Sequence, residues 1–581
     1  MIKAGVGVMR GRAALIMLGT LLPMTVHAQD FERVQPKLPP TPPTPTVEVP
    51  SEVAPSVDNS RLLVPELKGL IFIDGIDAVR PAGIAPEATD SVAVRGLPLL
   101  DNADFAASVR PYLGRPLTQG DLDGIGRLVR DLYRTREHPF VHVSVPPQNV
   151  QSGVVQIVVT EYRLGEVTVT GNRHFLSGLI REMGSLESGE TLTTPRLRRA
   201  LEDYNQNPFL TVSAVAKPGS ETGLTDIELE ARDRTPWRVY GGYDNQGVPT
   251  LDRDEWYLGF NWGNAFGQGQ TLSYQYTRAF NGRYSSHSAS YVVPVDPDNR
   301  VIFFGAYATQ EPRIAPIFRS KGHSGQISGR WAVDLPEWDR IRHSLQVGID
   351  YKRTDNNLEF AGFRILDTAV EIFQYPLIYA ASMPDGAGET VIENRLVWSP
   401  GNLTKYNTDQ AMRQLVPGAS ASYVYDRLSL TRTTRLGEGI SWIVRGMIQV
   451  SNHNLPYSEQ VGGGGIGGVR GYDTNIALGS EGVMLTTELR SPAFSFFGGK
   501  GEGAIRDQFQ AGLFVDYAYL RQRTRFADLP RSTKLASAGL SLHYTVERYL
   551  DLQVEIGQQL ERAPFARDKA MQAAVVATIS F

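Results

Sequence analysis

From Trp237 onward the chain alternates apolar and polar positions with a period of two. In Leu540–Glu547, Leu540, Leu542, Tyr544 and Val546 alternate with Ser541, His543, Thr545 and Glu547. In Asp551–Gly557, Leu552, Val554 and Ile556 alternate with Gln553 and Glu555. The same beat runs through Trp256/Leu258/Phe260/Trp262, Leu272/Tyr274/Tyr276 and Leu345/Val347/Ile349/Tyr351. Successive side chains of a strand point to opposite faces, so each run makes a strand with one apolar and one polar face. Soluble sandwiches share this pattern with membrane barrels, and three features favour the barrel. Many runs reach about 9–11 residues or more, enough to cross a bilayer when tilted. Trp237, Tyr243, Trp256, Trp262, Tyr274 and Tyr276 crowd strand ends, as an interfacial girdle requires. The last run, Gln572–Phe581, ends on the aromatic Phe581. The pattern predicts a membrane all-β barrel over 235–581 with about 16 antiparallel strands, an even number. These run from 237–245 to 571–581 and include 322–334, 342–354, 366–380 and 417–432. Closing the barrel pairs every backbone group, which lipid cannot do.

Upstream the period is mixed. Residues 67–161 read as a strand (Leu67–Asp74), helices at Ala103–Leu113 and Thr118–Thr135, then strands Phe140–Val145 and Gly153–Glu161. Thr118 with Asp121 three residues on is a capping-box arrangement. Leu122, Ile125, Leu128, Val129 and Leu132 make the apolar stripe of a packed helix. The order then recurs over 162–234. A strand (Arg163–Thr170) leads to helices Phe175–Met183 and Thr193–Asn207, and strands Phe209–Lys217 and Leu224–Ala231 close the unit. Two successive β-α-α-β-β modules, both α+β, are expected.

Ahead of them, 29–66 is a linker whose prolines between Gln35 and Pro65 block helix and sheet. It is expected to be semi-rigid and solvated. Residues 1–28 read as a secretory signal: Lys3, Arg10 and Arg12 precede apolar Ala13–Leu22, and Val26-His27-Ala28 suits cleavage before Gln29.

Composition narrows the function. A hydrophobic content of 41% and a mean hydropathy of −0.22 suit a barrel with a wet interior. A net charge of −4 argues against a nucleic-acid partner. With no cysteine, disulfides and zinc-thiolate sites are excluded. The 9 histidines form no HExxH pattern, so no metal is expected, nor any other cofactor. No nucleophile-base-acid motif marks an enzyme.

The most informative segment is glycine-rich, Gly462 to Tyr472. Gly463, Gly465 and Gly468 formally match GxGxxG, but no βαβ unit surrounds them and no Walker lysine is present. The segment lies in a loop over 454–478 between the eleventh and twelfth strands, on the extracellular side. Its glycines allow close backbone approach, so it could fold back into the lumen. Arg470 would then need an acidic partner. If Leu513, Val515, Tyr517 and Tyr519 face lipid, Gly512, Phe514, Asp516 and Ala518 face inward, which makes Asp516 that partner.

These residues resemble the outer-membrane transporter of two-partner secretion systems, the haemolysin and filamentous-haemagglutinin exporter family within the barrel-assembly superfamily. Val469-Arg470-Gly471-Tyr472 matches the superfamily's loop-six signature. Phe514-Val515-Asp516 matches its strand-thirteen motif, except that Ala518 replaces the final glycine. Gly171-Asn172 resembles POTRA sequences. The resemblance implies an outer-membrane barrel preceded by two periplasmic POTRA domains, 67–161 and 162–234. It implies a monomeric exporter, not an enzyme, whose latch is Val469, Arg470, Gly471 and Tyr472 on Phe514 and Asp516. Its partners would be a secreted exoprotein of the adhesin or cytolysin class, outer-membrane lipids and, during biogenesis, the barrel-assembly machinery. The exoprotein would add a strand to a free sheet edge, expected along Phe209–Lys217, with Phe209, Leu210, Thr211, Val212 and Ser213 as its binding residues. The alternative is a factor that assembles other barrels. Members often carry an N-terminal plug helix; here only about Gln29–Gln35 precede the prolines, too short to fill a lumen at 1.5 Å per residue.

Overall fold

The computed structural model describes residues 31, 33–39, 59–85, 91–221, 223–313, 318–338, 340–360, 363–498, 506–525, 530–564 and 566–581, with no side-chain description for 318–319, 356–360 and 363–367. The expected signal, 1–28, and most of the proline-rich stretch lie outside the described residues. The chain divides into two units, one formed by the C-terminal part with the first residues, the other by residues 41–235.

Sixteen strands in the first unit form a closed antiparallel barrel, each paired with its neighbour in sequence and the first with the last. The first, Trp237–Asp244, pairs with the sixteenth, Met571–Ser580. Just past that strand, Phe581 exchanges backbone hydrogen bonds with Val239, its N–H donating at 2.9 Å. Its ring is exposed outside the wall.

The wall is inverted relative to a soluble protein. Outward Leu258, Leu513, Val515 and Leu540 are about half exposed, whereas inward Asn261, Ser273, Gln275, Ser288, Ser537 and Ser541 are buried. Such a surface is stable only when hydrocarbon covers it. In the thirteenth strand, Asp507–Arg521, the expected parity holds: Leu513, Val515 and Tyr517 are exposed while Phe514, Asp516 and Ala518 are buried.

Several strands outrun their sequence signal. The sixth to eighth, Phe318–Trp338, Ile341–Phe360 and Phe363–Asp385, are far longer than the expected 322–334, 342–354 and 366–380. Their extracellular ends carry polar residues on both faces (Lys352 to Asn357), so alternation vanishes while pairing persists, as Asn356 with Gly322. The tenth strand, Tyr423–Gly437, starts later than the expected 417–432, because a short helix, Asp409–Leu415, and its turn occupy the connection.

The second unit holds both modules. In the first, Val92–Arg95, Gly69–Ile73, Val154–Glu161 and Val141–Ser144 form one sheet in that order. Helices Ala103–Val109 and Gln119–Thr135 cover it. Thr118 and Asp121 complete the capping box, each bonding the other's backbone N–H. Val92–Arg95 was not expected, so the two modules do not share one β-α-α-β-β order. Four residues are too few to show a period.

The second module sets Leu224–Asp233 between Arg163–Thr170 and Leu210–Pro218. Helices Ser177–Met183 and Thr194–Tyr204 pack on its sheet. Phe140 joins this core, and the Thr194 N–H donates to the Glu137 carbonyl at 2.9 Å, tying the modules together.

The linker reading fails at both ends. Phe31 and Val34 are buried in the barrel unit. Leu62–Val64 pairs with Leu117–Thr118, and Val64 joins the first module's core. Proline forbids regular structure, but it does not prevent flanking apolar residues from docking.

Candidate functional site

The connection between the eleventh strand, Ile440–Ser451, and the twelfth, Glu481–Arg490, turns into the lumen. A short ladder of Val461–Gly463 with Ala477–Gly479 stiffens its stem, leaving the glycine-rich tip between them. Val469 is fully buried with Ala518, Leu520 and Leu535 of the wall. The Tyr472 hydroxyl lies 2.8 Å from the Ala536 carbonyl and 2.6 Å from that of Glu561.

Arg470 is the centre of the tip. Its Nε and Nη2 donate to the two oxygens of Asp516, each at 2.8 Å, and its backbone N–H donates to the same carboxylate at 3.0 Å. Its Nη1 donates to Glu488 at 2.6 Å and to Glu555 at 3.2 Å. The guanidinium stacks 3.6 Å over the Phe514 ring. Every charged group here is buried: the side chains of Arg470, Asp516, Glu488 and Glu555 are at most 5% exposed. Arg490 donates to Glu488 at 2.6 Å and offsets part of the excess negative charge.

Gly471 shows why a glycine follows. Its φ is +84°, and a Cβ there would lie 2.7 Å from the Gly557 carbonyl oxygen. A Cβ on Gly557 would likewise meet the Gly471 Cα at 2.7 Å. The Gly471 carbonyl accepts from Gln559 at 2.8 Å. Loop and fifteenth strand (Leu550–Gln559) thus touch backbone to backbone.

The site holds Val469, Arg470, Gly471, Tyr472, Phe514 and Asp516 together. Sequence reasoning missed Glu488, Glu555 and Gly557. Glu555 already stood on the polar face of its run, but nothing in a sequence aligns the heights of strands distant along the chain.

A second anchorage lies at the loop's base. Glu459 accepts from Lys352 at 2.6 Å, from Gln374 at 3.1 Å and from Tyr425 at 3.0 Å, all on other strands. Across the lumen, the N-terminal segment lies against the first strands. Arg33 pairs with Glu255 at 2.6 Å, and Lys37 donates to Tyr257 at 2.6 Å. The segment is turn and extended chain rather than helix among the described residues. A cavity of about 670 Å³ remains between it and the loop, lined in part by Arg33, Lys37, Arg427, Arg445 and Glu488.

The sheet edge expected along Phe209–Lys217 is present, but its named residues, 209–213, need correction. Leu210–Pro218 is an edge strand, paired only with Leu224–Asp233. Its start, however, is already capped. The Leu210 N–H donates to the Asn207 carbonyl at 3.1 Å. The Val212 N–H donates to Asn205 Oδ1 at 3.0 Å, and Asn205 Nδ2 donates back to the Val212 carbonyl at 2.9 Å. Within 209–213 the outward N–H groups of Leu210 and Val212 and the Val212 carbonyl are therefore occupied. Alternation along the strand places the next outward-facing backbones at Ala214 and Ala216.

Comparison with known proteins agrees with this architecture. The family model described as haemolysin secretion/activation protein ShlB/FhaC/HecB matches residues 223–544, and that of the ShlB-type POTRA domain matches 88–161. The heme/hemopexin transporter protein HuxB of Haemophilus influenzae (strain 86-028NP) is 19% identical over 478 residues, 79% of this chain and 80% of its own. Among solved structures, CdiB from Escherichia coli superposes with a TM-score of 0.69 at 16% identity, covering 100% of both chains. BamA from Haemophilus ducreyi lacking POTRA domains 1-3 gives a TM-score of 0.50 at 15% identity, over 84% of this chain and 98% of that one. The barrel lies in the outer membrane with its N-terminal domains in the periplasm. The chain belongs to the ShlB/FhaC/HecB haemolysin secretion/activation family of two-partner transporters.

Proposed function

We propose that this transporter takes an unfolded secreted exoprotein from the periplasm through its two POTRA domains, 67–161 and 162–234, and exports it through the barrel lumen. The observation that carries this reading is the loop tip gripped inside the barrel of a chain from a transporter family. The tip and the N-terminal segment occupy the lumen, so a polypeptide can pass only when they yield. Arg470 with its carboxylates acts as the latch that sets the resting position.

An extended exoprotein strand would add to the edge of Leu210–Pro218, entering at Ala214 and Ala216 rather than at 209–213. Backbone hydrogen bonds supply affinity there without requiring a folded partner. Thr211, Ser213 and Val215, whose side chains lie on the less buried face of the sheet, carry no charge that would repel an incoming strand. The cargo is an exoprotein of the adhesin or cytolysin class, and the barrel acts as a monomer. The periplasm supplies no nucleotide, so folding of the cargo outside drives export.

Deleting this protein should remove one polypeptide from the medium and leave it unfolded in the periplasm. Ala214→Pro with Ala216→Pro deletes two outward N–H donors, at edge positions where proline is tolerated. The double variant should insert normally yet bind and export that polypeptide several-fold less. An unchanged secretome after deletion would refute the exporter reading; unchanged binding by the proline variant would refute only the edge.

A further inference from the structure

Most periplasmic connections of the barrel are short, such as 266–269, 386–387 and 438–439. The one after the twelfth strand, 491–506, is not, and its first half folds outward. The Ser491 N–H donates to the Ala511 carbonyl at 2.8 Å, and Phe494 and Phe509 exchange backbone hydrogen bonds at 3.0 and 2.8 Å. Asp507 then gathers the turn. Its buried carboxylate accepts from the N–H groups of Phe496 at 2.9 Å and Phe497 at 3.2 Å, and from the Ser495 hydroxyl.

The rings continue the lipid-facing surface. Phe509 and Tyr544 are register partners with the outward parity of Leu513 and Leu540. Phe494 packs on Phe509 at 4.9 Å, and Phe496 packs on Phe509 at 5.4 Å and Tyr544 at 5.8 Å between ring centres. Phe494, Phe496 and Phe497 are 48%, 62% and 64% exposed. An apolar cluster of this kind needs a cover. The patch joins the hydrocarbon-covered wall without a break, and the backbone N–H groups of Phe494, Phe496 and Phe497 are already satisfied, as lipid contact demands.

We propose that this turn is a membrane foot: Phe496 and Phe497 insert into the periplasmic leaflet at the boundary between acyl chains and headgroups. The foot fixes the depth of the twelfth to fourteenth strands, two of which carry Glu488 and Asp516.

The absence of cysteine makes the test direct. Full-length protein carrying Phe497→Cys, labelled with a nitroxide, is reconstituted in phosphatidylethanolamine–phosphatidylglycerol vesicles. Collision rates with oxygen and with a water-soluble nickel chelate are then compared. Leu513→Cys serves as the lipid reference, Lys217→Cys as the aqueous one, and heat-modifiable migration verifies barrel closure. The oxygen-to-nickel ratio at 497 should exceed that at 217 several-fold and approach that at 513. A ratio matching position 217 would overturn the proposal, whether the patch is then bare or covered by a protein. Phe496→Cys gives the same reading independently.

Discussion

At the residue scale, Arg470 is bound by three carboxylates from three strands. Removing one partner of a buried ion pair costs about 3–5 kcal/mol, because the remaining charges have lost their solvent and their counter-ion. Arg470→Ala should therefore release the loop, not unfold the barrel, whose backbone ladder does not pass through this side chain. Hydrogen exchange at residues 468–472 should rise to that of open loop while the wall stays protected; retained protection at the tip would refute the latch. Arg470→Lys keeps a charge but loses the planar fork, and should give an intermediate result. In the second POTRA domain, Asp233 accepts from the N–H groups of Arg173, His174 and Phe175. Partial burial pushes its carboxyl upward, but these donors outweigh it and leave it below the usual carboxylate range. A depressed folded pKa means stability that is complete above the unfolded value, about 3.9, and is lost as pH falls through the folded one. Lowering the pH through this window should loosen the amides of 173–175 in the parent chain, and Asp233→Ala should remove that dependence.

At the element scale, the contact between loop and wall depends on two glycines distant in sequence. Gly471→Ala and Gly557→Ala each place a Cβ where backbone already sits. Both should expose the loop to protease, and Gly557→Ala should do so although it lies outside the recognised motif. A protease-resistant Gly557→Ala variant would show that the loop can seat elsewhere. In the first POTRA domain, Thr118→Ala removes the cap of helix Gln119–Thr135 and should lower its stability by about 1 kcal/mol in denaturant titration.

At the scale of the whole molecule, two separate pieces of chain occupy the lumen among the described residues. The loop is fixed at its tip by Arg470 and near its base by Glu459, whereas the N-terminal segment is held chiefly by Arg33 and Lys37. Deleting 31–39 should raise ion conductance in planar bilayers while leaving the loop protected from exchange. Conductance equal to that of the full chain would mean that the loop alone seals the pore.

The order and faces of the wall strands were legible in the sequence, because side-chain parity is a local property of extended chain. Asp516 could be assigned to the lumen from its own strand for that reason. Helix Gln119–Thr135 was equally legible, since its cap and stripe lie within one segment. Other features depended on tertiary structure. The lengths of the sixth to eighth strands are set by pairing beyond the membrane, where no solvent contrast marks a period. Capping of Val212 by Asn205 follows from a side chain turning back on an edge. Glu555 and Gly557 meet the loop because the barrel brings strands far apart in the chain to one height, and Glu488 meets it because the loop folds back along the strand that follows it. Sequence alone determined which way each side chain faces; closure of the barrel decided which of them meet, because their relative height depends on the register of every strand between them.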